Sequence, residues 1–216
     1  MDQHALRAAV DEAFADTGAG TPAWADPHPG RAPLDEEYSR CLDPGKYRIL
    51  AARADAWTRV LCGLGLATAE PVGDPAGLWR RTPELPMSES VLLRPVRADA
   101  VPLVFGFGAV DDVPRTVVAV GAGAPAVPVE QVPDCGCDAC DDGSEGILEL
   151  LDDAVVAVVT GTFAHIDAGP GQVIVDTGER RSAGNWPAFA ESPEAALDAA
   201  RAGRSPHQVV SGPAWG

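Results

Sequence analysis

Proline and glycine punctuate this chain so densely that its elements must be short and its turns many. There are 20 prolines and 23 glycines in 216 residues. Each proline removes a backbone donor, and each glycine adds freedom that a helix or strand must give up. The densest run, from Thr21 to Pro33, holds Pro22, Pro27, Pro29, Pro33 and Gly30 and reads as a loop carrying Trp24 and His28. Between such breaks, hydrophobic periodicity decides the element.

The first segment reads as a helix with Leu6, Val10, Ala13 and Phe14 on one side and a stop at Gly18 and Gly20. A shorter helical stretch spans Leu34 to Cys41. Asp43–Pro44 then offers an N-cap and a proline at the first helical position. Beyond it Tyr47, Leu50, Ala54, Trp57, Leu61 and Leu64 recur at three and four residues, and Gly65 can close the helix in the left-handed conformation.

A second long helix follows near Gly143. Asp142 and Glu145 have capping-box spacing, Ile147, Leu151, Ala154, Val155 and Val158 form an apolar stripe, and Glu149, Asp152 and Asp153 form the outer face. Ser192–Pro193 opens a last short helix through Ala200.

Between Leu66 and Val132 the pattern changes to β-rich runs at Ser90 to Leu93, Val101 to Gly108, Thr116 to Val120 and Ala126 to Val129. No helix of adequate length separates them, which predicts an antiparallel meander. Gly106 and Gly108, between phenylalanines, mark a bulge or a close approach rather than a nucleotide fingerprint. A further strand is expected at Val173 to Asp176, followed by a polar turn and Asn185–Trp186–Pro187. The predicted fold is α+β, with N-terminal helices packed on a mostly antiparallel sheet and a further long helix after a cysteine loop. Residues 1–200 read as a single domain, and 201–216 as a loosely attached C-terminal tail that Trp215 could pin.

Sixteen basic against 32 acidic residues give a formal charge of −16, whose average field repels nucleic acid and anionic membrane alike. The N-terminus has no basic patch feeding an apolar stretch, and no apolar run approaches the roughly 20 residues of a membrane span. A cytoplasmic location is therefore expected. The charge and the acidic outer face of the second long helix suggest a binding protein for a basic protein partner, such as a toxin domain. Nothing in the pattern indicates an oligomeric state.

Cys135, Cys137 and Cys140 form a C-x-C-x-x-C loop ahead of that helix. Three thiols within six residues can converge on one tetrahedral ion, and sulfur ligands point to a structural zinc. A fourth ligand must come from elsewhere. His165 is the first choice on ligand chemistry and Cys62 the second, with Cys41 and His207 also in competition. The alternative function is an enzyme using this loop, through a bound metal or thiol exchange, in a cleft that also holds His165 or Trp186. In that reading Cys140, beside a helix N-terminus, should have a lowered pKa, which nearby carboxylates oppose. An EF-hand register over Asp138, Cys140, Asp142, Gly143 and Glu149 fails because a thiol stands at a hard-cation position. Catalytic motifs are absent, and a set of Ser90, His165 and Asp176 exists only on paper.

Four stretches carry a resemblance: Trp24 to Pro29, Glu37 to Arg40, Tyr47 to Ala54, and above all Pro133 to Asp141. Together they resemble a family of uncharacterised actinobacterial proteins known only as a domain of unknown function. The resemblance covers most of the chain and supports treating residues 1–200 as one unit. It implies no activity, ligand or partner.

Overall fold

A computed structural model describes residues 2–186 and 191–216. The expected Asn185–Trp186–Pro187 segment runs outside the described residues at Pro187. Helix α1 (Gln3–Thr17) is capped by the Asp2 side chain, which accepts from the His4 amide, and buries Leu6 and Val10. The 21–33 region is a loop as predicted, and the Leu34–Cys41 stretch contracts to a 3-10 turn over Asp35–Ser39.

Pro44–Tyr47 forms a second 3-10 turn that leads into α2 (Arg48–Gly63); the Asp43 side chain makes no capping bond. Gly65 has φ +68°, and its neighbour Leu66 donates to the Leu61 carbonyl at 3.0 Å, closing the helix as expected. The predicted stripe is buried from Tyr47 to Leu61, but Leu64 is 57% exposed because the helix has already ended before it.

The chain then forms a five-stranded antiparallel meander of β1 (Ala67–Val72), β2 (Glu89–Pro95), β3 (Leu103–Val110), β4 (Val113–Gly123) and β5 (Ala126–Val132), hydrogen-bonded in that order. Phe105 and Phe107 point into the core shared with α2, while Gly106 and Gly108 face the opposite side. There the Trp79 indole lies so close to the sheet that a Cβ on Gly121 would stand 2.5 Å from it, and one on Gly106 3.0 Å. A bulge also falls between Gly108 and Ala109. Both expected meanings of these glycines, close approach and bulge, are present.

After the cysteine loop comes α3 (Ser144–Val159), packed on β3, β4, β5 and α2. A second antiparallel sheet follows: β6 (Ala164–Asp167), β7 (Val173–Asp176), β8 (Arg181–Gly184) and β9 (Gln208–Ser211), in the order β8-β7-β6-β9. Helix α4 (Pro193–Arg201), capped by Ser192, covers it with Ala196, Leu197 and Ala200. The fold is thus α+β, with helices packed on antiparallel sheets and α3 following the cysteines.

Three expectations need correction. The 201–216 segment is not loosely attached: β9 pairs with β6, and Trp215 is buried. Its amide donates to the Val159 carbonyl and its indole to the Val101 carbonyl, so burial of a large aromatic fastens the end. The Asp142–Glu145 capping box does not form, because the helix begins at Ser144 with Gly143 (φ +91°) at its N-cap and no side chain caps it, while the Ser144 amide donates to the Trp24 carbonyl at 3.0 Å. The acid-only outer face of α3 also dissolves. Asp152 is buried, and Asp153 accepts from Arg7 of α1 at 2.6 Å.

Asp152 is where α1, α2 and α3 meet. The Arg53 guanidinium donates to both its oxygens, at 2.9 and 2.6 Å, and the Trp57 indole donates at 2.6 Å. From α1, Asp11 pairs with Arg53 at 2.8 Å and Arg7 reaches Asp152 at 3.5 Å. A bidentate buried pair tolerates loss of one member badly, since the other charge is left unpaired. Replacement of Asp152 by Ala should therefore cost about 3–5 kcal/mol. The Asp153→Ala change, at the rim, should cost about 1 kcal/mol or less. Urea unfolding of both variants measures the difference, and equal midpoints would show that Asp152 does not hold the helices together.

Candidate metal centre

The loop between β5 and α3 owes its shape to a left-handed Gly136 (φ +74°), which seats against Val110 at the β3–β4 turn; a Cβ there would stand 2.7 Å from that side chain. A 3-10 turn over Asp138–Cys140 then folds the three cysteines toward one another. Their sulfur atoms all lie within 4.8 Å of each other, and Cys135 Sγ is 3.3 Å from Cys137 Sγ. Tetrahedral zinc thiolates, at about 2.3 Å per bond, need sulfurs about 3.8 Å apart. The cluster is thus competent to coordinate a metal ion. Cys135 and Cys140 are exposed and Cys137 is half-buried.

The backbone favours charge on the central sulfur. Burial opposes ionisation of Cys137, yet hydrogen bonds from the Cys135 and Cys140 thiols and from the Cys140 and Ala139 amides bring its pKa below that of a free thiol. Cys140 donates to Cys137 and Cys135 and is pushed up to about 12. The lowering expected of Cys140 falls on Cys137. α3 begins only at Ser144, and the amides of the 139–140 turn converge on Cys137 instead of Cys140.

A polar network holds the N-terminal loop over this turn. The Asp138 amide donates to the Arg40 carbonyl at 2.8 Å, and its carboxylate accepts from the Leu42 amide and from Arg40 Nε. Asp141 accepts from the Trp24 indole and the Gly143 amide and pairs with Lys46. Burial opposes its charge, but these donors hold the carboxyl below the usual range. Lys46 also sits over the Trp24 and Tyr47 rings, 5.4 and 5.1 Å from their centroids. His28 lies between the Asp141 carbonyl and Glu37, 3.3 Å from each. The Arg31 guanidinium, with the Leu34 amide, brings Glu37 down to about 2. These groups border a cleft of about 230 Å³ beside the cysteine turn. None of this network follows from sequence spacing; its one advance signal is that Trp24, His28, Glu37, Arg40, Tyr47, Asp138 and Asp141 fall in the stretches that carry the family resemblance.

The structure does not bring His165 to the cluster. It sits on β6 beside Arg80 and Arg81, and the Arg80 amide bonds to Ala126 at the start of β5, whereas the cysteine loop leaves the strand's other end. Cys62 lies on the last turn of α2, and His207 faces Trp186 and Glu191. The paper set of Ser90, His165 and Asp176 is not assembled: Ser90 Oγ and His165 Nδ1 have no partner, and Asp176 is held by Arg201. Among the described residues, no helix is long and apolar enough to cross a membrane.

His165 has a different consequence. Burial, with Arg81 and Arg80 adding to it against Asp167, brings its imidazole from the ordinary 6.5 to about 4. The unfolded chain then binds a proton that the folded chain refuses. This contribution to stability is intact above pH 6.5 and is lost as pH falls toward 4. A His165→Leu variant should lose less melting temperature than the parent between pH 7 and pH 4.5. Parallel curves over that window would contradict it.

No curated protein and no solved structure matches the chain. A family model, described as a family of unknown function (DUF6226), matches residues 10–216, and the chain belongs to that family.

Proposed function

We propose that this protein is a zinc-binding protein whose ion is held by Cys135, Cys137 and Cys140 and fixes the turn between β5 and α3. The observation that carries this reading is the convergence of three sulfurs within 4.8 Å on a turn whose amides point at the central one. Soft thiolate donors favour zinc over the hard cations that the surrounding carboxylates would otherwise attract. Two of those carboxylates are also occupied, Asp138 by Arg40 and Asp141 by Lys46. The ion would neutralise part of the charge that thiolate formation builds up.

The docking reading, in which an acidic surface receives a basic protein, keeps the net charge of −16 but loses its helix face, since Asp152 is buried and Asp153 is paired. The metal reading has the stronger support. Thiol exchange at Cys137 is the competing chemistry, favoured by its lowered pKa beside the Cys135 sulfur.

Elemental analysis of chain purified without a metal-chelating tag or added zinc should return close to one zinc per chain. A site filled a thousandfold above its Kd contributes about 4 kcal/mol. The Cys137→Ser variant should therefore lose the metal and about 8–16 °C in melting temperature. Near-zero zinc in reduced, folded protein, with fast alkylation of Cys137 near neutral pH, would overturn the metal reading in favour of thiol exchange.

A further inference from the structure

We infer that Cys41 is the fourth zinc ligand, closing the site as four thiolates and making it a clasp between the N-terminal loop and the turn before α3. The inference rests on the zinc reading and identifies what completes that site. Its ground is the way the chain on both sides of Cys41 is tied to the turn. The Asp138 amide, one residue past Cys137, donates to the carbonyl of Arg40, and the amide of Leu42 donates back to the Asp138 carboxylate at 3.1 Å. One bond is backbone to backbone and the other runs to the Asp138 side chain, so both flanks of Cys41 are held against this one residue of the turn. Cys41 is the residue between those two bonds.

Other contacts agree with this placement. Cys41 and Cys135 both act electrostatically on the Tyr47 hydroxyl. Asp111 of the β3–β4 turn acts on Cys41, while its neighbour Val110 seats Gly136 between Cys135 and Cys137. The Asp43 amide is directed at the Cys41 thiol, as the Ala139 and Cys140 amides are at Cys137. The Cys41 sulfur stands outside the 4.8 Å group in this conformation. One staggered step about its Cα–Cβ bond moves a sulfur by about 3 Å.

The other candidates are placed less well. Cys62 is fifteen residues along the helical path from Tyr47, about 22 Å away at 1.5 Å per residue. His165 and His207 belong to the second sheet and its surroundings. His28 Nδ1 lies 3.3 Å from the Asp141 carbonyl and Nε2 lies 3.3 Å from Glu37 Oε2 without making a hydrogen bond, and neither nitrogen belongs to the group formed by the three sulfurs. A closed set of four sulfurs leaves no position for water or substrate, which is the mark of a structural rather than a catalytic zinc.

Cobalt(II) loading of the full chain tests this, because the thiolate-to-cobalt charge-transfer band scales with the number of sulfur ligands. The parent chain should bind one cobalt with a tetrahedral ligand-field spectrum. Replacing four thiolates by three in Cys41→Ala should lower the charge-transfer intensity by about a quarter. Cys62→Ala and His28→Ala should leave the spectrum unchanged. Cys41→His should keep one tetrahedral cobalt with the ligand-field bands displaced, which covers the case in which the alanine variant does not fold. A parent that binds no cobalt overturns the zinc reading itself. A parent that binds one cobalt, with a Cys41→Ala or Cys41→His spectrum identical to its own, overturns Cys41 alone.

Discussion

The buried carboxylate of Asp152 is the point on which the helical layer depends. Two carboxylate oxygens accept from Arg53 and Trp57 of α2, and Arg7 and Asp11 of α1 complete the charge around them. Apolar packing alone would let the three helices slide, since dispersion and burial are not directional. A bidentate guanidinium–carboxylate pair is directional, and it fixes the rotation of α2 and α3 about their axes. That rotation carries Tyr47, at the head of α2, to the place where Trp24 and Lys46 meet it.

The opposite face of the meander is organised by an absence of side chains. Gly106 and Gly121 leave room for the Trp79 indole to lie against the strands, sealing Leu92, Val104, Ala119 and Ala126 beneath it. The sheet is therefore covered on both faces, by helices on one and by a proline-rich strap on the other. Its far end carries the cysteine turn, braced by Val110 below and by the 24–46 loop above. The four sequence stretches that carry the family resemblance come together there: Trp24 and His28, Glu37 and Arg40, Tyr47, and the turn from Cys135 to Asp141. Their convergence sets the polar network of the N-terminal loop beside the metal-competent cluster.

The sequence by itself determined the α+β class, both long helices, the meander from β2 to β5 and the cysteine turn, because each is a local pattern: a 3.6-residue stripe, short β-rich runs, or three thiols within six residues. Arg53 and Asp152 stand at the edges of the apolar stripes, three residues from Leu50 and Val155 respectively, and Asp152 reads from the sequence as part of the outer face. Their pairing is not local and could not be read. The strands β6, β8 and β9 are four residues each and gain their stability from one another, so propensity alone does not announce them. Only the tertiary structure decided that Asp152 is interior, that Trp215 fastens the end of the chain, and that Cys41, not His165, stands beside the cysteine turn. Each depends on hydrogen bonds, ion pairs and burial between segments roughly fifty to a hundred and fifty residues apart, which no spacing along the chain encodes.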